Sequence, residues 1–382
     1  MRDLDAYREQ GRNSPQDPQQ MREHPYDFVS LPNGPKRVEA PGHDKYPQNL
    51  YSGILVLRYR TLAPLHVGSG VLESSSECGL AGRDEPVRGI TRRDGRPILP
   101  GSSWKGAIRS RYEAVTASRL ALAQTSHWLY PEKVPDALRN PPPRGRYKVE
   151  IADPRTRNLK AVRVDSRENL VQQLRNLSPA ESLFGVMGYR GRVHPTDGII
   201  TSPPPGQPLK VAPMESPAAH RLAQAGQSEN VRGIIRISRV EGRKFYYDGD
   251  IVSSRTTREG GAPVFELIDT VPIGSEIRLE IHLETVTLAE LGALLICSGR
   301  GDEAGVLRFG GFKSVGLGKV DLASVEARLH RGRSTRSWKT ADPPPLDLEG
   351  AVRAAHETRL IDADALAELK AVTTLKRPEE AR

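Results

Sequence analysis

Asp84 stands in GLAGRDEPVRG, between Arg83 and Arg88 and away from any apolar run. A carboxylate in that setting can hold a divalent cation or orient an attacking hydroxyl; it can equally be a surface acid balancing its arginines, and the pattern leaves both open. His66, in LAPLHVGSG, follows a strand-like run and offers an imidazole that exchanges protons near neutral pH, although a lone histidine before a turn is also an ordinary structural residue. PGSSWKGAIRSRYEAV, residues 100–115, sets Ser102, Ser103, Lys105, Arg109 and Arg111 just after a Pro-Gly turn. LRFGGFKSVGLGKV, residues 307–320, surrounds Arg308, Lys313 and Ser314 with Gly310, Gly311, Gly316 and Gly318. Glycines allow close backbone approach, either of N–H groups to a phosphate or of a tight turn to a packed helix.

The charge balance adds weight to the anion reading. The 382 residues carry 56 Lys and Arg against 47 Asp and Glu, a formal charge of +9. Within 83–113 stand Arg83, Arg88, Arg92, Arg93, Arg96, Lys105, Arg109 and Arg111 against Asp84, Glu85, Asp94 and Glu113. Such a local excess attracts polyanions, nucleic acid first among them. Other chemistries lose support. GGFKSVGLGKV lacks the spacing of a Walker A loop, and no GxSxG, HExxH or DxDxDG occurs. Two cysteines, Cys78 and Cys297, form no CxxC pair and suit a reducing compartment. No apolar run approaches the length of a membrane span and MRDLDAYREQ is no signal peptide, so a cytoplasmic protein without membrane partners is expected.

These residues need elements to position them. Residues 1–48, rich in Pro, Gln and charge, read as an irregular arm. ILVLRYRTL alternates as a half-buried strand, and Ser102 or Ser103 is expected to cap a helix whose Trp104, Ile108, Tyr112 and Val115 share one stripe. Proline-rich segments near 131–180 and 201–230 read as insertions. VRGIIRISRV and RKFYY return to strand character, with Phe245, Tyr246 and Tyr247 as an aromatic run. EIRLEIHLE then places Ile277, Leu279, Ile281 and Leu283 on one strand face, and Thr287 with Glu290 forms a capping box before LAELGALLICSG. The expected class is α+β, a ferredoxin-like (RRM-like) βαββαβ core over 49–325, followed by a helical extension at 340–382.

In order, TLAPLHVGSG, DEPVRG with GRPILPGSSWKGAIRS, LFGVMG and LRFGGFKSVGLGKV resemble the RAMP superfamily of CRISPR-associated proteins, and the likeness covers residues 50–325. The resemblance implies a type III effector backbone subunit that holds CRISPR guide RNA, pairs with complementary target RNA, stacks with its own copies along the RNA and contacts other effector subunits. It implies an RNA-binding set of His66, Arg83, Arg88, Ser102, Ser103, Lys105, Arg109, Arg111, Arg308, Gly310, Gly311, Lys313, Ser314 and Gly316. It also turns Asp84 into the expected catalytic and metal-holding residue, with Mg²⁺ or Mn²⁺ assisting attack of a ribose 2′-hydroxyl on the adjoining phosphate. The arm, insertions and C-terminal helices exceed a minimal backbone subunit. A non-catalytic or end-capping scaffold is the second expectation, and a guide-processing endonuclease using His66 the third.

Overall fold

The computed structural model describes residues 25–81, 84–120, 126–129, 147–151, 155, 175–186, 188–201, 208–213, 228–231, 233–237, 240, 242–256, 263–332 and 345–376. In chain order the elements that build the core are β1 (Tyr26–Ser30), β2 (Tyr51–Thr61), β3 (Gly68–Ser74), β4 (Pro86–Ile90), β5 (Arg92–Arg93), β6 (Arg96–Leu99) and α1 (Gly101–Val115). They continue with α2 (Pro179–Phe184), β7 (Val193–Pro195), β8 (Gly198–Thr201), β9 (Gly242–Tyr246), β10 (Glu266–Ile268), β11 (Glu276–Val286), α3 (Leu288–Cys297), β12 (Leu307–Arg308) and β13 (Lys319–Arg331). Two C-terminal helices follow, α4 (Leu348–Glu357) and α5 (Ala363–Thr374).

The central sheet runs β12–β13–β2–β11, all antiparallel. From β11 it continues to β7 at one end, and at the other to β8, β6 and β5. Taken as β2–α1–β7–β11–α3–β13, this is the βαββαβ order with strands arranged 4-1-3-2, the ferredoxin-like core expected from the pattern. Alternation is the cause. Leu57 lies opposite Leu279 and Tyr59 opposite Ile277, so one face of the β2–β11 pair is continuously apolar. Leu55, Leu57, Tyr59, Ile277, Leu279 and Ile281 are fully buried in one core with Trp104 and Ile108 of α1 and Leu291 and Leu295 of α3. The next residues along each strand, such as Arg58, Arg278 and His282, occupy the other face.

The capping box before α3 forms as its sequence indicates, Thr287 Oγ1 accepting from Glu290 N at 3.0 Å and Glu290 Oε2 accepting from Thr287 N at 2.8 Å. The cap of α1 differs from expectation. Pro100 occupies the cap position, neither Ser102 nor Ser103 supplies a cap bond, and Asp197 reaches across from the β7–β8 turn to accept from Gly101 N at 2.9 Å. The arm read as irregular over 1–48 contains β1, which pairs antiparallel with β9 from Tyr26–Tyr246 to Ser30–Gly242. A strand this short gains its partner only in the folded chain. Within the two proline-rich segments, Tyr147–Ile151 and Ser228–Val231 join Ser126–Leu129 and Ile234–Ile237 in a separate four-stranded sheet. A third sheet, Leu209–Val211 with β10, β4 and β3, carries the hairpin around Asp84. Asp347 and Asp362 cap α4 and α5, accepting from Gly350 N at 2.8 Å and Ala365 N at 3.0 Å.

Candidate nucleic-acid interface

The glycine-rich stretch between β12 and β13 folds back onto the segment that follows β2. Gly311 N donates to His66 O at 2.8 Å and Gly318 N to Pro64 O at 2.9 Å, bringing two stretches distant in sequence onto one surface. Gly310 has φ +74°, and a Cβ there would stand 2.2 Å from His66 O; at Gly318, with φ +80°, it would stand 2.0 Å from Phe309 O. These glycines, and Gly316 against Asp250 O, answer a requirement of backbone packing. Gly311 is different. A Cβ there meets only ordinary contacts with His66 at 3.7 Å and beyond, so its absence leaves a half-exposed main-chain surface unblocked.

His66 forms the other side of that surface. Its Nδ1 lies 2.8 Å from the Asp269 carbonyl, which only accepts, so Nδ1 carries the proton and Nε2 the lone pair. Burial pushes the imidazole below its ordinary range, against the raising effect of the Asp269 carbonyl and carboxylate. Phe312, in the left-handed conformation at φ 54°, packs edge-on to the ring at 5.2 Å. Trp104 Nε1 donates to Tyr59 Oη at 3.1 Å, and Tyr59 meets Phe309 edge-on at 5.2 Å, so α1, β2 and the glycine-rich loop form one rigid support.

Most of the arginine excess is neutralised within the fold. Arg88 pairs with Glu266 at 2.5 Å, Arg92 with buried Asp269, Arg93 with Asp197, and Arg109 with Glu113 at 2.6 Å. Arg111 and Arg308 differ from the sequence expectation of an open RNA-facing surface, since both are buried. Arg111 is buried and donates to the carbonyls of Val306 at 2.8 Å, Ala304 at 2.5 Å and Gly305 at 3.1 Å. Arg308 is buried and donates to Gly316 O at 2.6 Å, Leu317 O at 3.0 Å and Asp248 Oδ1 at 2.7 Å, bracing the glycine-rich loop from inside. Both guanidiniums organise loops because their helix and strand face the core. Lys105 donates to Val193 O at 2.8 Å, and burial lowers its pKa. Ser102 is exposed in the first turn of α1, Ser103 half-buried beside it, and Ser314 half-buried in the loop. Phe245 and Tyr247 are buried, which removes them from base stacking. Arg83 lies outside the described residues.

Lys313 stands apart from the paired cations. No hydrogen bond or ion pair holds its ammonium among the described residues, and desolvation followed by the charges of Arg308 and Arg111 lowers its pKa. Asp84 is exposed between β3 and β4. Its Oδ1 accepts from Ser76 N at 3.1 Å and Ser75 Oγ at 3.4 Å, and those bonds, the Ser76 amide first, hold the carboxyl below its usual range. It is therefore ionised at neutral pH. No three His, Cys, Asp or Glu side chains gather to hold a metal among the described residues. A resident Mg²⁺ or Mn²⁺ takes several oxygen donors, of which the Asp84 carboxylate would be one. Asp197 and Asp248 escaped sequence reasoning: each lies in a short turn or strand end whose local pattern announces no distant partner.

No curated protein matches the sequence. Among solved structures, a chain from the cryo-EM structure of the Type III-B Cmr-beta complex bound to cognate target RNA matches with a TM-score of 0.36 and 14% identity. That match covers 72% of this chain, which spans 60% of the other. The sequence pattern of the RAMP superfamily matches residues 58–321, a span that takes in the end of β2, His66, Asp84, α1, α3 and the glycine-rich loop. The chain belongs to the RAMP superfamily of CRISPR-associated proteins.

Proposed function

We propose that the protein is an RNA-binding scaffold subunit of a type III CRISPR effector complex, binding guide RNA across the surface shared by His66, Gly311 and Lys313. Its further partners on this reading are complementary target RNA, neighbouring effector subunits and stacked copies of itself. The observation that carries the reading is the Gly311–His66 bond. It joins two glycine-bearing stretches into one main-chain surface beside Lys313, whose charge no acid within the described fold offsets. A flexible ribose-phosphate chain is the ligand such a surface suits: phosphates meet the cation, and the lone pair of His66 Nε2 can accept from a ribose 2′-hydroxyl.

The test is anisotropy of a labelled, hydroxyl-ended single-stranded RNA across a salt series. Gly311→Asp places a carboxylate on the surface at a position that tolerates a side chain. RNA affinity should fall by about tenfold, as expected when like charge opposes a phosphate contact, with the thermal midpoint unchanged. Equal affinity in the variant would sink the reading.

One observation favours a second reading, cleavage of target RNA opposite each subunit. Asp84 is exposed, ionised and braced by two serines, placing one carboxylate where bound RNA can reach it. In that reading Asp84 orients the ribose hydroxyl or contributes one ligand to a cation shared with RNA phosphates. Asp84→Ala should then abolish regularly spaced cleavage of target by the assembled complex in Mg²⁺ or Mn²⁺ while target binding persists. Unchanged products would assign the cutting elsewhere.

A further inference from the structure

Between α1, β9, the 306–313 segment and α5 lies a recess of about 100 Å³. Arg111, Lys244, Arg308 and Lys313 line it, Ser110 and Thr373 add hydroxyls, and no acidic side chain is among its lining residues. Four cations around one small volume need an explanation, because charge removed from water is costly unless paired.

The fold does not supply the pairing. Arg308 has Asp248, but that carboxylate also accepts from Lys319 at 2.9 Å and Lys376 at 2.6 Å, one acid for three cations. Arg111, 3% exposed, bonds carbonyl oxygens through its terminal nitrogens. The Nε atoms of Arg111 and Arg308 are both buried without a hydrogen-bond partner. Lys313 feels only like charges among its charged neighbours. Lys244 lies over the rings of Tyr26 at 4.6 Å and Tyr246 at 5.1 Å, which hold it at the rim. Thr373 Oγ1 already donates to Leu369 O at 2.8 Å, so the two orphaned guanidinium donors, the two lysines and the Ser110 hydroxyl form a donor set without an acceptor among the described residues.

The matching ligand has several acceptor oxygens, a double negative charge and small size. The recess is only about 100 Å³ and two of its arginines are buried, so it suits a single phosphate group at a chain end rather than a run of nucleotides. We propose that this recess binds a phosphate monoester dianion, with Lys313 and Lys244 at its mouth and Arg111 and Arg308 at its base. The dianion comes from the terminal phosphate of a bound RNA strand or from a free mononucleotide or phosphate ion. The RNA-end source rests on the RNA-binding reading above; the free source does not.

The experiment uses the full chain. Its thermal midpoint is followed against inorganic phosphate, with sodium chloride at equal ionic strength as the reference, for wild type, Lys313→Ala and Lys244→Ala. Anisotropy then compares one oligoribonucleotide carrying a 5′-phosphate, a 3′-phosphate or hydroxyls at both ends. Phosphate should raise the wild-type midpoint well beyond chloride. Lys313→Ala should weaken that response by about tenfold, the usual scale for one charge-assisted contact. Its midpoint in chloride should hold or rise, since the substitution removes repulsion without removing a hydrogen bond. Equal responses to phosphate and chloride, or an undiminished response in both lysine variants, would overturn the proposal. A preference for one phosphate-ended strand that disappears in Lys313→Ala assigns the RNA-end source. Equal affinity for all three strands with phosphate binding retained assigns the free source. Phosphate binding without any RNA binding would remove the scaffold reading and leave the recess standing.

Discussion

Arg192, fully buried before β7, closes both terminal nitrogens on the Glu290 carboxylate, whose Oε2 lies 3.1 Å from Nη1 and also accepts from Thr287 N at 2.8 Å. One carboxylate thus caps α3 and neutralises the only guanidinium that links β7 to α2 and to the end of β11 among the described residues, through Ser182 O at 3.0 Å and Thr285 O at 2.7 Å. Glu290→Ala leaves a buried charge unpaired and the cap half-made. The expected loss is about 3–5 kcal/mol of stability, with a smaller loss for Glu290→Gln, measured as urea midpoints.

Arg109 separates a structural cation from an RNA-binding one. Its Nε donates to Glu113 at 2.6 Å, and the second oxygen of Glu113 takes Arg243 from β9. Arg109→Ala should cost about 1.5–3 kcal/mol, the scale of a hydrogen bond to a charged group, while the dependence of RNA affinity on salt keeps its slope. A slope reduced by about one unit would show instead that Arg109 leaves Glu113 to meet a phosphate.

Gly292 fixes how the C-terminal extension sits on the core. A Cβ there would stand 1.9 Å from Ala351 O, so α3 and α4 are in backbone contact. Gly292→Ala forces the two helices apart and should destabilise by about 1–3 kcal/mol in spite of its better helix propensity. Faster proteolysis within residues 345–376 would accompany that loss; equal stability would mean that α4 shifts freely.

His66 makes stability depend on pH in the near-neutral range. Its folded pKa is depressed, chiefly by burial, so the unfolded chain binds the proton more readily. The contribution is complete above the unfolded value of about 6.5 and is lost as pH falls through the lower folded value. Thermal midpoints taken from pH 7.5 down to 5 should fall in wild type and fall less in His66→Gln. Parallel curves would assign the acid sensitivity to other groups.

Short-range features were legible in the sequence because their physical causes are short-range. The alternation of Ile277, Leu279, Ile281 and Leu283 settled a strand face, and Thr287 with Glu290 settled a helix start, each within a few residues. The order of strand, helix, strands, helix and strand likewise announced the ferredoxin-like core, since the apolar faces of β2 and β11 have one economical way to be covered. Charge was another matter. Arg111 and Lys313 are both basic residues beside serine in the sequence; only the tertiary structure sends one to three carbonyls in the interior and leaves the other without a counter-charge among the described residues. Asp197 capping α1, and Asp248 shared among Arg308, Lys319 and Lys376, arise from chain segments far apart in sequence. Periodicity and capping depend on neighbouring residues, so the sequence by itself determined them. Desolvation and ion pairing depend on which segments meet, and that was decided only when the chain folded.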